Sequence, residues 1–261
     1  MERSKDLVPD VSGLQAEARG IVERAAEAFL THLQNDLVSL VAHGSAVKGD
    51  YVPGCSDVDL VLIVRPGTLA TGGHLPFATV AALQFDLSGI EIAPFRYLQS
   101  RVEEQGRPRK GGFVPGAYHL VWGEPNVPLA TPEQLRGAAR EALIGLDIRA
   151  MEARICDRLL DCGEGRFDRE VRYICTDVWP RLYCMLIVDG CDPLEVWRMT
   201  KSEAIAATNE RSEAGKSVRD FYEAVVRHYT RGEAVETGMA VLELGLRFLR
   251  AVSERARSSV R

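Results

Sequence analysis

Apolar residues recur at helical spacing between residues 13 and 33. Ile21, Val22, Ala25, Ala26, Phe29, Leu30 and Leu33 share one face, so the chain opens on an amphipathic helix. The pattern then shortens. Residues 37–42 form an apolar run ending just before Gly44, and 58–64 form another closed by Pro66-Gly67. Both read as buried strands. Between them, 44–56 reads as a turn, one short helix and a Pro-Gly loop. Residues 75–83 suit a helix, 89–95 a third strand and 118–122 a fourth.

The texture changes near Glu124-Pro-Asn-Val-Pro-Leu-Ala-Thr-Pro132. Thr131-Pro132-Glu133 is a helix start, with Thr as N-cap and Pro in the first turn. Only helical patterns follow, over about 133–160, 169–188, 202–209, 217–229 and 233–257, with Gly190 and Gly232 suited to helix ends. The expected fold is α+β: a mixed sheet with helices over 1–128, then an all-helical bundle over 129–261. The Arg- and Ser-rich tail, 255–261, is expected to fray.

Composition narrows the function classes. The 261 residues carry a net charge of −5 and a pI near 5.7. That disfavours a broad nucleic-acid surface, which needs many Lys and Arg contacts, and tolerates a small cationic substrate. No apolar stretch reaches the length of a membrane span, and Met1-Glu-Arg-Ser-Lys-Asp6 lacks an apolar signal core. The six cysteines show no CxxC spacing, which points to reduced thiols in the cytoplasm rather than to zinc.

The most informative residues are Asp57 and Asp59, at the start of an otherwise apolar strand. Side chains alternate along a strand, so the two carboxylates share a face. Burying them so close together is costly unless a cation pairs with them. Mg²⁺ takes hard oxygens, often one or two carboxylates plus substrate phosphates. The Gly44-Ser45 turn upstream offers backbone N–H groups to an anion. A third acid on a neighbouring strand would complete the site. Glu91, between Ile90 and Ile92 in the expected third strand, is the candidate, and Asp86 is its competitor. Each piece has a plain reading: Asp-x-Asp is commonly a loop or edge acid, Gly-Ser a turn, and Glu91 a partner for Arg96. Their combination at this spacing favours metal and phosphate chemistry.

The same string resembles the DNA polymerase β-like nucleotidyltransferase superfamily, in which a glycine-serine turn precedes a strand with two acids. Gly44-Ser-Ala-Val, a Gly, a Pro and Ser56-Asp-Val-Asp-Leu60 resemble more closely the streptomycin/spectinomycin adenylyltransferases. Val196-Trp-Arg-Met-Thr-Lys201 and Phe221-Tyr-Glu-Ala-Val-Val-Arg-His-Tyr229 resemble two later segments of that family. The resemblance implies Mg²⁺-dependent transfer of AMP from ATP to a hydroxyl of a small, cationic acceptor, most simply an aminoglycoside antibiotic. It implies that Asp57, Asp59 and Glu91 hold Mg²⁺ (two ions), with Glu91 as general base. Gly44, Ser45, Lys201 and Tyr229 would contact the nucleotide. A monomer or weak dimer, with no nucleic-acid or membrane partner, is expected.

The family's drug-contacting Trp and acid have no one-to-one match here. Phe167, Asp168 and Glu170 are the nearest candidates for acceptor binding. Asp157, Asp161, Glu164 and Asp177 are further acids of that region, and a solvated helix face is their plain reading. A lincosamide, another small molecule or a protein is an alternative acceptor. A non-catalytic, antitoxin-like regulator is the alternative from another class.

Overall fold

The computed structural model describes residues 8–107, 112–125, 127–232 and 234–258. The N-terminal stretch 1–7, Asn126 between the two prolines, the expected helix start at Glu233 and the last three residues of the tail lie outside them. The chain divides into two compact units, Met1–Ala130 and Thr131–Arg261. Together they make an α+β fold.

The first unit is built on a four-stranded sheet ordered β3-β2-β1-β4. Its strands are β1 (Leu37–His43), β2 (Val58–Val64), β3 (Leu98–Glu104) and β4 (Tyr118–Gly123). β1 runs antiparallel to β2 and β4, whereas β2 and β3 are parallel. Helix α1 (Ala16–Leu33) precedes β1, α2 (Ser45–Lys48) follows it, and α3 (Phe77–Leu87) lies between β2 and β3. Parallel neighbours need such a crossover.

Strand alternation sorts the two faces. Leu40, Ala42, Val58, Leu60, Leu62 and Val64 point into the main core with Ile21, Val22, Ala25, Phe29 and Leu33 of α1. The other face carries a smaller cluster, Val38, Val41, Val61, Ile63 and Val127, flanked by Phe113, Tyr118 and Leu120. β2 is therefore buried on both faces, which is why it reads as an unbroken apolar run.

The expected strand at 89–95 does not form. Those residues are a turn and irregular chain after α3, and the strand beside β2 is Leu98–Glu104. Ile90 and Ile92 still pack against the core, so the apolar signal was real while its element was not. Leu98-Gln-Ser-Arg-Val-Glu-Glu104 escapes hydropathy because it is an edge strand. Only Leu98 and Val102 pack on the core, and Gln99, Ser100 and Arg101 are exposed.

The second unit contains seven helices among the described residues. They are α4 (Pro132–Ile144), α5 (Ile148–Leu159), α6 (Arg166–Val188), α7 (Pro193–Arg198), α8 (Lys201–Ala206), α9 (Glu213–Thr230) and α10 (Val235–Ser258). The single helix expected over 133–160 is two, because Gly145-Leu-Asp147 interrupts it and Asp147 caps α5 by accepting from Ala150 N at 3.1 Å. α7, which the helical pattern did not single out, is capped by Asp192 with Pro193 in its first turn. α10 is helical to Ser258. Val171, Ile174, Val178 and Leu182 of α6 are almost wholly buried, as are Phe221 and Val225 of α9 and Phe248, Leu249 and Val252 of α10. Gly238 and Gly245 let neighbours approach α10 closely. A Cβ on Gly238 would fall 2.5 Å from Phe167 Cε1, and one on Gly245 would fall 2.6 Å from Ile174 Cγ1.

Candidate active site

The turn between β1 and α2 is shaped by Gly44. Its φ of 72° and ψ of −149° lie in a region open essentially to glycine. A Cβ there would also stand 2.6 Å from Asp59 Oδ2. Both facts exclude a side chain and let the Asp59 carboxylate sit against the turn. The Gly44 carbonyl accepts from Val47 N at 3.2 Å and Lys48 N at 3.0 Å. The Ser45 hydroxyl donates to Asp57 O at 3.3 Å, tying the turn to the entry of β2.

That entry is held by the chain on either side. Val52 N donates to Ser56 Oγ at 2.8 Å. Gly54 N donates to Pro94 O at 2.8 Å, Arg96 N to Ser56 O at 2.9 Å and Val58 N to Tyr97 O at 2.9 Å. These bonds present Asp57 and Asp59 beside the Gly44-Ser45 turn. Asp57 Oδ1 is enclosed by protein, and Asp59 is half-buried.

In register, Asp59 lies between His43 of β1 and Gln99 of β3. Burial, reinforced by the charges of Arg101 and Lys48, pulls the His43 imidazole down to about 4. The ring is therefore neutral at pH 7. It meets Phe113 edge-on, with centroids 6.3 Å apart.

The third carboxylate does not join this pair. Glu91 is exposed, outside any strand, and its backbone oxygen accepts from Arg24 Nη2 at 3.2 Å. The apolar strand expected to place it is absent, and it lies in irregular chain between α3 and β3. Asp86 is not the substitute, because it pairs with His32 of α1 at 2.7 Å. Among the described residues no group of three or more His, Cys, Asp or Glu is arranged to hold a metal. The donor set that remains, Asp57 and Asp59, fits Mg²⁺, an ion that takes few protein carboxylates and completes its shell with water and phosphate oxygens.

The expected residues of the helical unit have local settings of their own. Lys201 opens α8 behind a capping box made by Thr200 and Glu203, and its Nζ lies 5.9 Å from the Trp179 ring centroid. Tyr229 is half-buried and meets His228 edge-on at 4.8 Å. Phe167 packs over Gly238. Glu170 is 2% exposed and pairs with Arg158 of α5 at 3.4 Å, so its carboxylate is committed to helix packing. Asp168 is half-buried on the first turn of α6.

Residues 22–107 match the nucleotidyltransferase domain family. The N-terminal unit therefore carries a nucleotidyltransferase domain. Among solved structures, the spectinomycin adenyltransferase AAD(9) from Enterococcus faecialis, in a crystal structure with ATP and spectinomycin, is similar. Its TM-score is 0.49 at 12% identity, covering 88% of this chain and 98% of that one. No curated protein matches the sequence. No helix among the described residues is long and apolar enough to cross a membrane.

Proposed function

We propose that the protein transfers AMP from ATP to a hydroxyl group of a small cationic acceptor, an aminoglycoside such as streptomycin or spectinomycin. The observation that carries the transfer chemistry is the placement of Asp57 and Asp59 against the Gly44-Ser45 turn, inside the matched nucleotidyltransferase region. The acceptor class rests on the sequence resemblance at Gly44–Leu60, Val196–Lys201 and Phe221–Tyr229.

The residues divide the work. Asp57 and Asp59 would hold Mg²⁺, which when bound supplies charge neutralisation for the triphosphate and the departing pyrophosphate. Gly44 leaves the backbone open to a phosphate, and Ser45 orients the turn through Asp57 O. His43, neutral beside the pair, adds no charge to repel an incoming cationic acceptor. In the helical unit, Lys201 and Tyr229 carry the proposed nucleotide contacts. The acceptor hydroxyl oxygen attacks the α-phosphorus as its proton passes to solvent water, the bond from the α-phosphorus to the α,β-bridging oxygen breaks, and pyrophosphate leaves with that bonding pair. Glu91 has no part in this step.

Pyrophosphate release from Mg-ATP, measured across a panel of aminoglycosides and lincosamides, tests the reading. Release dependent on streptomycin or spectinomycin is expected, and Asp59→Asn should abolish it while leaving the melting temperature unchanged. Release with no acceptor in the panel, or full turnover in Asp59→Asn, would refute the proposal. Glu91→Gln should keep near-normal turnover.

A further inference from the structure

The face of the sheet that carries Asp59 has a cation where a third acid was expected. Register aligns Asp59 with Gln99 and Val61 with Arg101 on the parallel strand β3. Residues 99, 101 and 103 therefore share the Asp59 face, while Leu98 and Val102 point to the main core. Arg101 is held there by an unusual partner. Glu103 is only 6% exposed and pairs with Arg101, its Oε1 lying 3.1 Å from Arg101 Nε, whereas the Arg101 side chain is 52% exposed. A buried carboxylate on an edge strand is costly to keep unless it is paired. Here it orients a guanidinium whose outer part stays in solvent. Binding through Nε leaves the two terminal nitrogens for a planar or tetrahedral anion. Among the described residues nothing else engages them. Arg101 and Lys48 both act electrostatically on His43, the register partner of Asp59.

From this geometry we infer that Arg101, positioned by Glu103, is a phosphate ligand of the nucleotide site and grips the pyrophosphate portion of the nucleoside triphosphate. The inference rests on the nucleotidyl-transfer reading and deepens it. A triphosphate brings about four negative charges to a turn that already holds two carboxylates, and Mg²⁺ offsets only part of that excess. A guanidinium on the adjacent strand offsets more through charge-assisted hydrogen bonds. Glu103 has no direct contact with ligand in this scheme and acts as a positioning residue.

Isothermal titration of the protein with Mg-ATP and with Mg-pyrophosphate tests it. Arg101→Ala removes the guanidinium but leaves Glu103 buried and unpaired. The double variant Arg101→Gln/Glu103→Gln removes both charges and avoids that folding penalty. Both ligands should bind at least tenfold more weakly to the double variant. Glu103→Gln alone should weaken them less, because Arg101 stays but loses its anchor. Wild-type binding with unchanged affinities in the double variant would overturn the Arg101 assignment alone. Absence of binding to the wild type would overturn it together with the nucleotide reading.

Discussion

Gly44 and Asp59 occupy space that only one side chain can use: a Cβ on Gly44 would stand 2.6 Å from Asp59 Oδ2. The contact joins the turn after β1 to Asp59 of β2, so the backbone that would meet a phosphate and the carboxylate that would meet a metal are set by one fit. Gly44→Ala should therefore injure the site more than the fold. Its φ of 72° and ψ of −149° cost a side chain about 1–3 kcal/mol, and the added methyl pushes on the carboxylate. Turnover should fall by about 100-fold, while circular dichroism shows an intact fold with a lowered melting temperature. Turnover within twofold of wild type would show that Asp59 tolerates displacement.

Gly245→Ala sets two effects against each other. Alanine favours a helix interior by about 1 kcal/mol over glycine. At this position, however, its Cβ would lie 2.6 Å from Ile174 Cγ1 and 3.0 Å from Phe221 Cε2, and both partners are almost wholly buried. Overpacking of that kind costs about 1–3 kcal/mol, so net destabilisation is expected in urea denaturation. At Gly137, where a Cβ meets nothing within 4 Å, the same substitution should stabilise.

Glu170 should behave as a structural acid. It is 2% exposed and its partner Arg158 is 43% exposed, so Glu170→Ala should cost about 1–3 kcal/mol by breaking a half-solvated pair and opening space beneath it. The KM for the acceptor should not change. A raised KM with unaltered stability would return Glu170 to the acceptor site.

Burial raises the Cys184 thiol to about 11, against an ordinary value of 9.0, with Arg181 opposing the rise. The folded protein therefore binds a proton more tightly than the unfolded chain between about pH 9 and 11. Stability from this group is complete below pH 9 and is lost as pH climbs through 11, by about 3 kcal/mol in all. At neutral pH a thiol reagent should label the exposed Cys156 and Cys162 and spare Cys184 until the protein unfolds. Mass spectrometry of alkylated native protein checks this, and rapid labelling of Cys184 would contradict it.

Much of this was legible in the residues because the signals are local. An apolar run, a glycine, a serine and two alternating acids specify strand, turn and strand within one short segment, and β1, α2 and β2 follow. Thr131-Pro132 announced α4, and the Thr131 capping box confirms that reading. The misreadings share a cause. Ile90 and Ile92 supply apolar surface to the core from an irregular segment, and hydropathy reports burial without reporting which element achieves it. β3 is the converse case: a strand made by hydrogen bonding to β2, with too few buried positions to announce itself. The neighbours of Phe167 and Glu170, Gly238 and Arg158, are likewise remote in sequence or on another helix, and the residues themselves do not announce them.

By itself, then, the sequence determined the two-part α+β order, the glycine turn at 44 and the two acids at 57 and 59 that follow it, since each depends on residue type and short spacing. Only the tertiary structure decided which strand lies beside β2. That pairing leaves Glu91 outside the sheet and sets Arg101 on the strand next to Asp59, because strand register is fixed by long-range hydrogen bonds and core packing, which leave no mark on an edge strand's own residues.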